Sequence, residues 1–199
     1  MATDFFDAIK TRRTMYSLSK KSPISDERIE EVLKDALKNA PSAYNSQSGR
    51  IVLLLGPVHD EFWDATKEIL RPLTPPDFFA KTEGKMAAFK AAYGTVLFFE
   101  DQTVVKGLQE GFPLFKDVFP VWSGNSTGML QYVVWTSLAV VGLGASLQHY
   151  NPLVDDWVRR KTGVPESWKL TGEMPFGVAT EPAGPKEFAP IEGRFKVVR

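Results

Sequence analysis

The stretch Val121–Val154, VWSGNSTGMLQYVVWTSLAVVGLGASLQHYNPLV, contains no aspartate, glutamate, lysine or arginine. A membrane-spanning helix needs about 20 mostly apolar residues, so the stretch is long enough for one. Polar residues such as Asn125 and Gln131 interrupt it, and no Lys/Arg cluster flanks it, which argues against a span. A helix over residues 124–143 that is buried on all sides explains the pattern better. We therefore predict a long central helix in a globular fold and no membrane partner.

Apolar runs on either side of this helix predict strands. RIVLLLG (50–56) and TVLFFED (95–101) are short and rich in β-branched or aromatic residues, as buried strands are, and KLTGEMPFGVAT (169–180) forms a third strand region. Amphipathic helices alternate with these runs, and Pro41 stops one of them. The order of elements predicts an α+β fold with a few-stranded, mostly antiparallel sheet flanked by helices.

The length and the absence of repeats or linkers predict one domain over residues 1–199. The segment 111–124, GFPLFKDVFPVWSG, is rich in proline and aromatic residues, and we expect it to be irregular. The tail, residues 181–199, is rich in proline and glycine and ends in alternating apolar and basic residues. A polar tail of this length needs a surface to pack on, and we expect that surface to belong to a second subunit.

Composition excludes several function classes. The chain has 24 Lys+Arg and 24 Asp+Glu, so no net field favours nucleic acid or an anionic membrane. The absence of cysteine excludes disulfides, thiolate metal sites and cysteine nucleophiles, and two histidines argue against structural zinc. The N-terminus MATDFFDAIK has no apolar core of signal-peptide length, so we expect a cytoplasmic protein.

No motif for self-sufficient catalysis is readable. The chain has no G-x-S-x-G, no H-E-x-x-H, no Walker A motif and no G-x-G-x-x-G after a strand. Its carboxylates are scattered over amphipathic helices. An enzyme of this kind takes its reactivity from a cofactor, so we assign no catalytic side chain.

Two segments are unusually polar for their positions. RRTMY (12–16) follows the first predicted helix, and a guanidinium beside a hydroxyl is a good phosphate clamp. PSAYNSQSGR (41–50) joins a helix to a strand, and its amides can read the donors and acceptors of a heterocycle. From the residues alone, ordinary turn residues and solvated arginines remain an open alternative.

Four segments taken together resemble the nitroreductase-like FMN flavoproteins, and within them the short branch related to the fatty-acid-repression proteins. They are RRTMYSL (12–18), NAPSAYNSQSGRIVLL (39–54), SGNSTGMLQYVVWTSLAVVGLGASLQHYNP (123–152) and IEGRFKV (191–197). The resemblance covers nearly the whole chain in the family's order. It implies a nitroreductase-like fold and a homodimer with two FMN sites at the subunit interface, in which the long helix is the dimerisation element.

The resemblance also implies which residues hold FMN. The first group, near the phosphate and ribityl chain, is Arg12, Arg13 and Thr14. The second, which contacts the flavin ring from the partner subunit, is Pro41, Ser42, Asn45 and Gln47. The third, near the N5 face, is Leu147, Gln148 and His149. The fourth, which closes over the phosphate, is Arg194 and Lys196. A cation near N1 and the C2 carbonyl is assigned to Arg50 or Arg13.

The implied activity is FMN-dependent oxidation of NAD(P)H coupled to reduction of nitroaromatic or quinone-type acceptors, by ping-pong hydride transfer. Two alternatives stay open. One is an FMN-binding sensor or regulator of stress or lipid signalling with little turnover, and the other is a helical dimer without a cofactor. Four aromatic residues of the irregular segment either wall a substrate pocket or belong to the core: Phe112, Phe115, Phe119 and Trp122.

Overall fold

The structure is a computed structural model that describes residues 4–199. Within them the chain forms seven α-helices: α1 Phe5–Thr11, α2 Asp26–Asn39, α3 Gly56–Leu70, α4 Pro76–Lys90, α5 Gln102–Gly111, α6 Phe119–Val140 and α7 Asp155–Thr162. Five strands lie between them: β1 Leu18–Ser19, β2 Gly49–Leu55, β3 Gly94–Asp101, β4 Gly144–Ala145 and β5 Trp168–Ala179.

The strands form one sheet in the order β1-β5-β3-β2, and β4 also pairs with β5. Every pair of neighbouring strands is antiparallel. β3 is the centre: its Leu97 lies opposite Val52 of β2 and Glu173 of β5. The α+β class and the mostly antiparallel sheet predicted from the sequence are therefore confirmed.

Both faces of the sheet are covered, because β3 alternates buried side chains between two cores. Val96 and Phe98 pack with α2 and α6 on one face. Leu97 and Phe99 pack with α3, α4 and α7 on the other face. All four side chains are almost fully buried. A strand buried on both faces reads as a continuous apolar run, which is the pattern of TVLFFED.

The start of α2 is explained by its first residues. The Ser25 hydroxyl accepts a hydrogen bond from the Arg28 N–H, and Asp26 and Glu27 lie in the first turn. Such a cap satisfies an N–H group that the helix leaves unpaired, and the acids complement the helix dipole. α2 ends directly before Ala40 and Pro41, so the polar segment 41–50 begins where the helix stops.

The segment expected to be irregular is shorter than predicted. α5 was not predicted, and α6 begins at Phe119, several residues before residue 124. Pro120 made a helix start at Phe119 look unfavourable in the sequence. Proline is tolerated in the first turn, however, because an N–H at that position has no helical partner. The irregular part is confined to residues 112–118, which contain the 3₁₀ turn Pro113–Phe115.

The prediction that α6 is buried on all sides is wrong for a single chain. Leu130, Val134 and Leu138 face the core, but Met129, Tyr132 and Val140 are exposed. No helix within residues 4–199 is both long enough and apolar enough to cross a bilayer. The exposed side of α6 is thus a largely apolar surface that residues 4–199 leave uncovered.

The tail forms neither helix nor strand and exposes large apolar side chains. Phe188, Phe195 and Val198 are 75%, 69% and 82% exposed. Its first residues are held to the N-terminal segment, because the Arg13 guanidinium donates to the Gly184 carbonyl over 2.7 Å. The packing of this tail on a partner subunit stays a prediction.

Candidate functional site

Arg12 is a half-buried cation without an anionic partner in the part of the chain that the structure describes. It follows α1, and its guanidinium carbon lies 4.5 Å from the ring centroid of Trp135 and 5.9 Å from that of Tyr132. Its Nε is buried and has no hydrogen-bond partner within residues 4–199. Among residues 4–199, neither Arg12 nor Arg13 forms an ion pair with a carboxylate. A partly desolvated guanidinium in this state is suited to bind an anion.

The segment that contains Arg12 lies beside the chain that leaves α6. Thr14 bridges to Ala145, and the Met15 N–H donates to the Ala145 carbonyl over 3.0 Å. The Trp135 indole N–H donates to the same carbonyl over 3.1 Å. The structure therefore brings the first predicted group of site residues next to the start of the third, although the two are far apart in sequence.

Within the third group, Gln148 is fixed by its main chain. Its N–H donates to the Glu173 carbonyl over 2.7 Å, and the Glu173 N–H donates back over 3.0 Å. Leu147 is half-buried, and His149 is exposed. These three residues thus leave β4 as a strand-like segment held against the centre of the sheet.

The second group forms a tight loop with an unusual backbone. Tyr44, Asn45 and Gln47 have φ angles of 56°, 49° and 49°, in the left-handed region that side chains other than glycine rarely adopt. The Ser42 hydroxyl accepts from the Gln47 N–H over 2.9 Å and closes the loop. Each such residue costs about 1 kcal/mol or more, so the surrounding contacts must hold the loop in this conformation.

Arg50 is one of those contacts. Its Nη1 donates to the carbonyls of Gln47 and Gly49 over 2.7 and 2.9 Å, and its Nη2 donates to Asp101 over 3.0 Å. The guanidinium also lies 5.7 Å from the Trp168 ring centroid. Arg50 is therefore engaged within its own chain, and its assignment beside the flavin N1 stays a prediction.

The groups do not all meet within one chain. The loop lies against the N-terminal half of α6, where the Ala43 N–H contacts the Ser126 hydroxyl at 3.4 Å. Arg12 lies against Trp135, nine positions later, which is about 13 Å along a helix. The first and second groups of predicted site residues therefore contact α6 at different places.

Within residues 4–199, the fourth group forms no hydrogen bond or ion pair with the other three groups. The Arg194 guanidinium donates to the carbonyls of Pro190 and Ala189, both in the tail itself. Lys196 is exposed close to the end of the chain. The shared phosphate site predicted for Arg12 and Arg194 is thus not assembled by one chain alone.

Two cavities share one buried acidic side chain, Glu100. One, of about 370 Å³, is lined by Ser42, Gln47 and Arg50 as well. The other, of about 340 Å³, is also lined by Gln131, His149 and Lys169, among others. The loop and His149 of the third group therefore line cavities that meet at the same side chain.

Sequence reasoning missed two buried acids, Glu100 and Glu173. Glu100 is only 3% exposed, and its carboxylate accepts hydrogen bonds from the hydroxyls of Ser48, Ser123 and Thr127. The signal in the sequence was a carboxylate at the end of, or inside, an apolar strand, as in TVLFFED and TGEMPFG. Buried charges are rare unless they are paired or hydrogen-bonded, so an acid inside such a run indicates a specific set of polar partners.

Glu173 underlies the third group and is fully buried in β5. Burial raises the pKa of its carboxyl to about 7, although a hydrogen bond from the Tyr150 N–H favours the charged form. Its second oxygen, Oε1, has no partner among residues 4–199. Burial, with a smaller contribution from the Glu173 charge, also raises the pKa of Tyr150 to about 12.

An aromatic cluster surrounds the loop. The Tyr44 ring lies 5.0 Å from Phe112, 5.4 Å from Phe119 and 6.1 Å from Trp122, and it is stacked on the last of these. Phe119 is buried, whereas Tyr44 and Phe112 are exposed. Phe119 is therefore a core residue, and the other rings present flat apolar faces beside the polar loop.

Comparison with known proteins identifies the fold. The model of the nitroreductase family matches residues 9–178. Nitroreductase FRM2 of Saccharomyces cerevisiae is 35% identical over 179 residues, 89% of each chain. Nitroreductase CinD of Lactococcus lactis, solved in complex with 4-nitrophenol, is 46% identical with a TM-score of 0.88 and covers 98% of this chain and 100% of its own.

A structure from Exiguobacterium sibiricum, solved in complex with FMN, has 16% identity and a TM-score of 0.67 over 100% of this chain and 99% of its own, and it shows the fold alone. The family match spans most of the chain, and the yeast and Lactococcus relatives share more than 30% identity over nearly all of it. The chain therefore belongs to the nitroreductase family, which consists of FMN-dependent oxidoreductases.

Proposed function

We propose that this protein uses FMN to oxidise NAD(P)H and to reduce nitroaromatic or quinone-type acceptors, and that it does so in the cytoplasm. The observation that carries the proposal is Arg12, a half-buried cation without a carboxylate partner among residues 4–199, beside the segment that leaves α6. The chemistry that FMN supplies when bound is hydride exchange in two alternating half-reactions, first with NAD(P)H and then with the acceptor.

The residues of the chain fit a mononucleotide. Arg12 provides a charge for the phosphate, and Thr14 provides a hydroxyl two residues later. The segment Leu147–His149 provides main-chain and amide groups that the sheet holds rigidly through Glu173. We assign Arg13, Arg194 and Lys196 to the same anion, since the tail begins beside Arg13.

The loop that holds Pro41, Ser42, Asn45 and Gln47 serves the FMN of the partner subunit in this proposal. It contacts α6 at Ser126, about 13 Å along the helix from Trp135, against which Arg12 lies. The exposed apolar side chains of α6 and of the tail support a homodimer in which the tail packs on the partner. Obligate interfaces resemble a core cut in half, as this surface does.

The surroundings of the loop support the proposed acceptor class. Tyr44, Phe112 and Trp122 present aromatic faces, which stack well against a flat aromatic ligand and exclude water from it. The relative CinD was solved with 4-nitrophenol, a nitroaromatic compound. We propose these rings as a wall of the acceptor pocket. The side chains bind and orient the substrates, and we assign them no proton transfer.

The visible spectrum of the purified protein tests the function. We expect flavin absorbance that bleaches when NAD(P)H is added without oxygen and returns when a nitroaromatic acceptor follows. Light scattering on the same sample is expected to give the mass of a dimer. A flavin-loaded dimer that does not oxidise NAD(P)H would favour the sensor alternative, and a colourless protein that gains no absorbance with FMN would favour the structural one.

Arg12→Ala is expected to weaken FMN binding roughly ten- to a hundredfold. A hydrogen bond to a charged group contributes about 1.5–3 kcal/mol, and alanine also removes the cation that faces the phosphate. Titration of the apoprotein with FMN, followed by flavin fluorescence, measures the dissociation constant. Arg71→Ala is the matched control. Arg71 lies in the turn after α3 and forms an exposed ion pair with Glu68 at the end of that helix. Equal affinities for the two variants would remove Arg12 from the site.

A further inference from the structure

Glu100 is a buried carboxylate held by hydroxyl groups and by no cation among residues 4–199. Ser48 and Ser123 each donate to Oε2 over 2.6 Å, and Thr127 donates to Oε1 over 2.7 Å. These distances are in the short range of charge-assisted O–H···O bonds. The side chain is 3% exposed, so the three hydroxyls supply the hydrogen bonds that a buried carboxylate needs.

The three hydroxyls come from two different elements. Ser123 and Thr127 lie one turn apart on α6, whereas Ser48 directly follows the polar loop Pro41–Gln47 and precedes β2. The backbone reinforces this link, since the Asp101 N–H donates to the Ser48 carbonyl over 2.9 Å. Glu100 therefore fastens the end of the loop to both the central strand and α6.

The loop needs contacts that restrain its conformation. Its three left-handed residues, Tyr44, Asn45 and Gln47, are unfavourable in isolation and persist only where neighbours fix them. On one side Arg50 holds the Gln47 carbonyl, and Arg50 is itself held by Asp101. On the other side the next residue, Ser48, is held by Glu100. Two adjacent acids at the end of β3 thus restrain the loop from opposite faces of the strand.

We propose that Glu100 is a positioning residue for the cofactor: acting through Ser48, it keeps the polar loop in the conformation that contacts FMN, without touching FMN itself. This inference rests on the proposed contact between the loop and FMN. If the bond to Ser48 is lost, the loop populates other conformations, and the apparent affinity falls by the fraction of chains that remain competent.

A double-mutant cycle on FMN affinity tests the proposal. Ser48→Ala removes the donor, and Glu100→Gln replaces one acceptor oxygen with an amide that faces hydroxyl donors. We expect each single variant to bind FMN about tenfold more weakly, since each loses the charge-assisted bond between Ser48 and Glu100. We expect the double variant to bind about as weakly as either single one, because both changes remove the same link. We expect the visible circular dichroism of the flavin that remains bound to change in each single variant, and to change by about the same amount in the double variant.

Thr66→Ala serves as the comparison for stability alone. Thr66 is fully buried on α3, on the opposite face of the sheet, and its hydroxyl donates to the Phe62 carbonyl over 2.7 Å. We expect it to lower the melting temperature of the apoprotein, as Ser48→Ala does, and to leave the FMN dissociation constant unchanged.

Three results would overturn the inference. Unchanged FMN affinity in a folded Ser48→Ala protein would show that the link does not position the loop, and this variant suffices if Glu100→Gln does not fold. A hundredfold loss in the double variant would show that Glu100 does not act through Ser48. An equal loss of FMN affinity in Thr66→Ala would reduce the effect to stability. A wild-type protein that binds no FMN would instead contradict the proposed function itself.

Discussion

Glu173→Gln is expected to stabilise the protein by about 3 kcal/mol at pH 8 and to leave its stability at pH 4 nearly unchanged. The carboxyl of Glu173 is fully buried, and its pKa is raised from 4.5 to about 7 in the folded chain. One pKa unit corresponds to 1.36 kcal/mol, so a rise from 4.5 to about 7 makes ionisation inside the fold cost about 3 kcal/mol. Glutamine keeps the acceptor for the Tyr150 N–H and carries no charge.

The direction of the pH dependence follows from proton binding. Below the unfolded pKa of 4.5 both states are protonated, and the group has no effect. Between 4.5 and about 7 the folded state binds the proton and the unfolded state does not, so the stability of the wild type falls as the pH rises. Above about 7 the loss is complete. In the glutamine variant this fall is expected to disappear.

Urea unfolding at a series of pH values from 4 to 8 measures both effects. Glu166→Gln is a suitable control, because Glu166 is exposed and such surface changes usually stay within about 0.5 kcal/mol. If the wild type and Glu173→Gln lose stability in parallel across this range, burial does not raise the pKa of Glu173 as described.

Gly177→Ala is expected to destabilise the protein by about 3 kcal/mol or more. Gly177 lies in β5 where β1 and β4 both approach it. A Cβ at this position would collide with the Ser19 carbonyl and would lie 3.0 Å from the Tyr93 backbone nitrogen. Both obstacles are backbone atoms, which cannot turn away as a flexible side chain can, so the sheet itself must shift.

Thermal unfolding of Gly177→Ala and of Gly84→Ala isolates this effect. Gly84 lies inside α4, and a Cβ there meets no atom within 4 Å. Alanine is favoured over glycine in a helix by about 1 kcal/mol, so Gly84→Ala is expected to raise the melting temperature. A Gly177→Ala protein that melts at the wild-type temperature would mean that the strands are not so closely packed.

The large elements of the fold were predictable because their patterns are long. The uncharged stretch predicted α6, two apolar runs predicted β2 and β3, and α2 ends just before Pro41, the residue predicted to stop a helix. β1 and β4 were missed as defined strands because each has two residues, too few for a periodic pattern. Such strands exist only because β5 is there to pair with them.

The site could be predicted as groups of residues but not as an arrangement. RRTMY and PSAYNSQ were recognisable, yet nothing local shows that Arg12 stacks on Trp135 or that Arg50 is held by Asp101. Glu100 was missed for the same reason, since its hydroxyl partners come from separate parts of the chain. Contacts of this kind are created by tertiary packing, which single-sequence patterns do not encode.

The pairing order of the sheet bears on how the chain is made. β3 can pair with β2 once both have left the ribosome, but its other edge must wait for β5, which comes near the end of the sequence. Through most of synthesis the edge of an almost entirely apolar strand therefore stays open to other nascent chains. Because so many contacts join distant parts of the sequence, we expect slow folding and better recovery of native protein when translation is slowed by cold or assisted by chaperones.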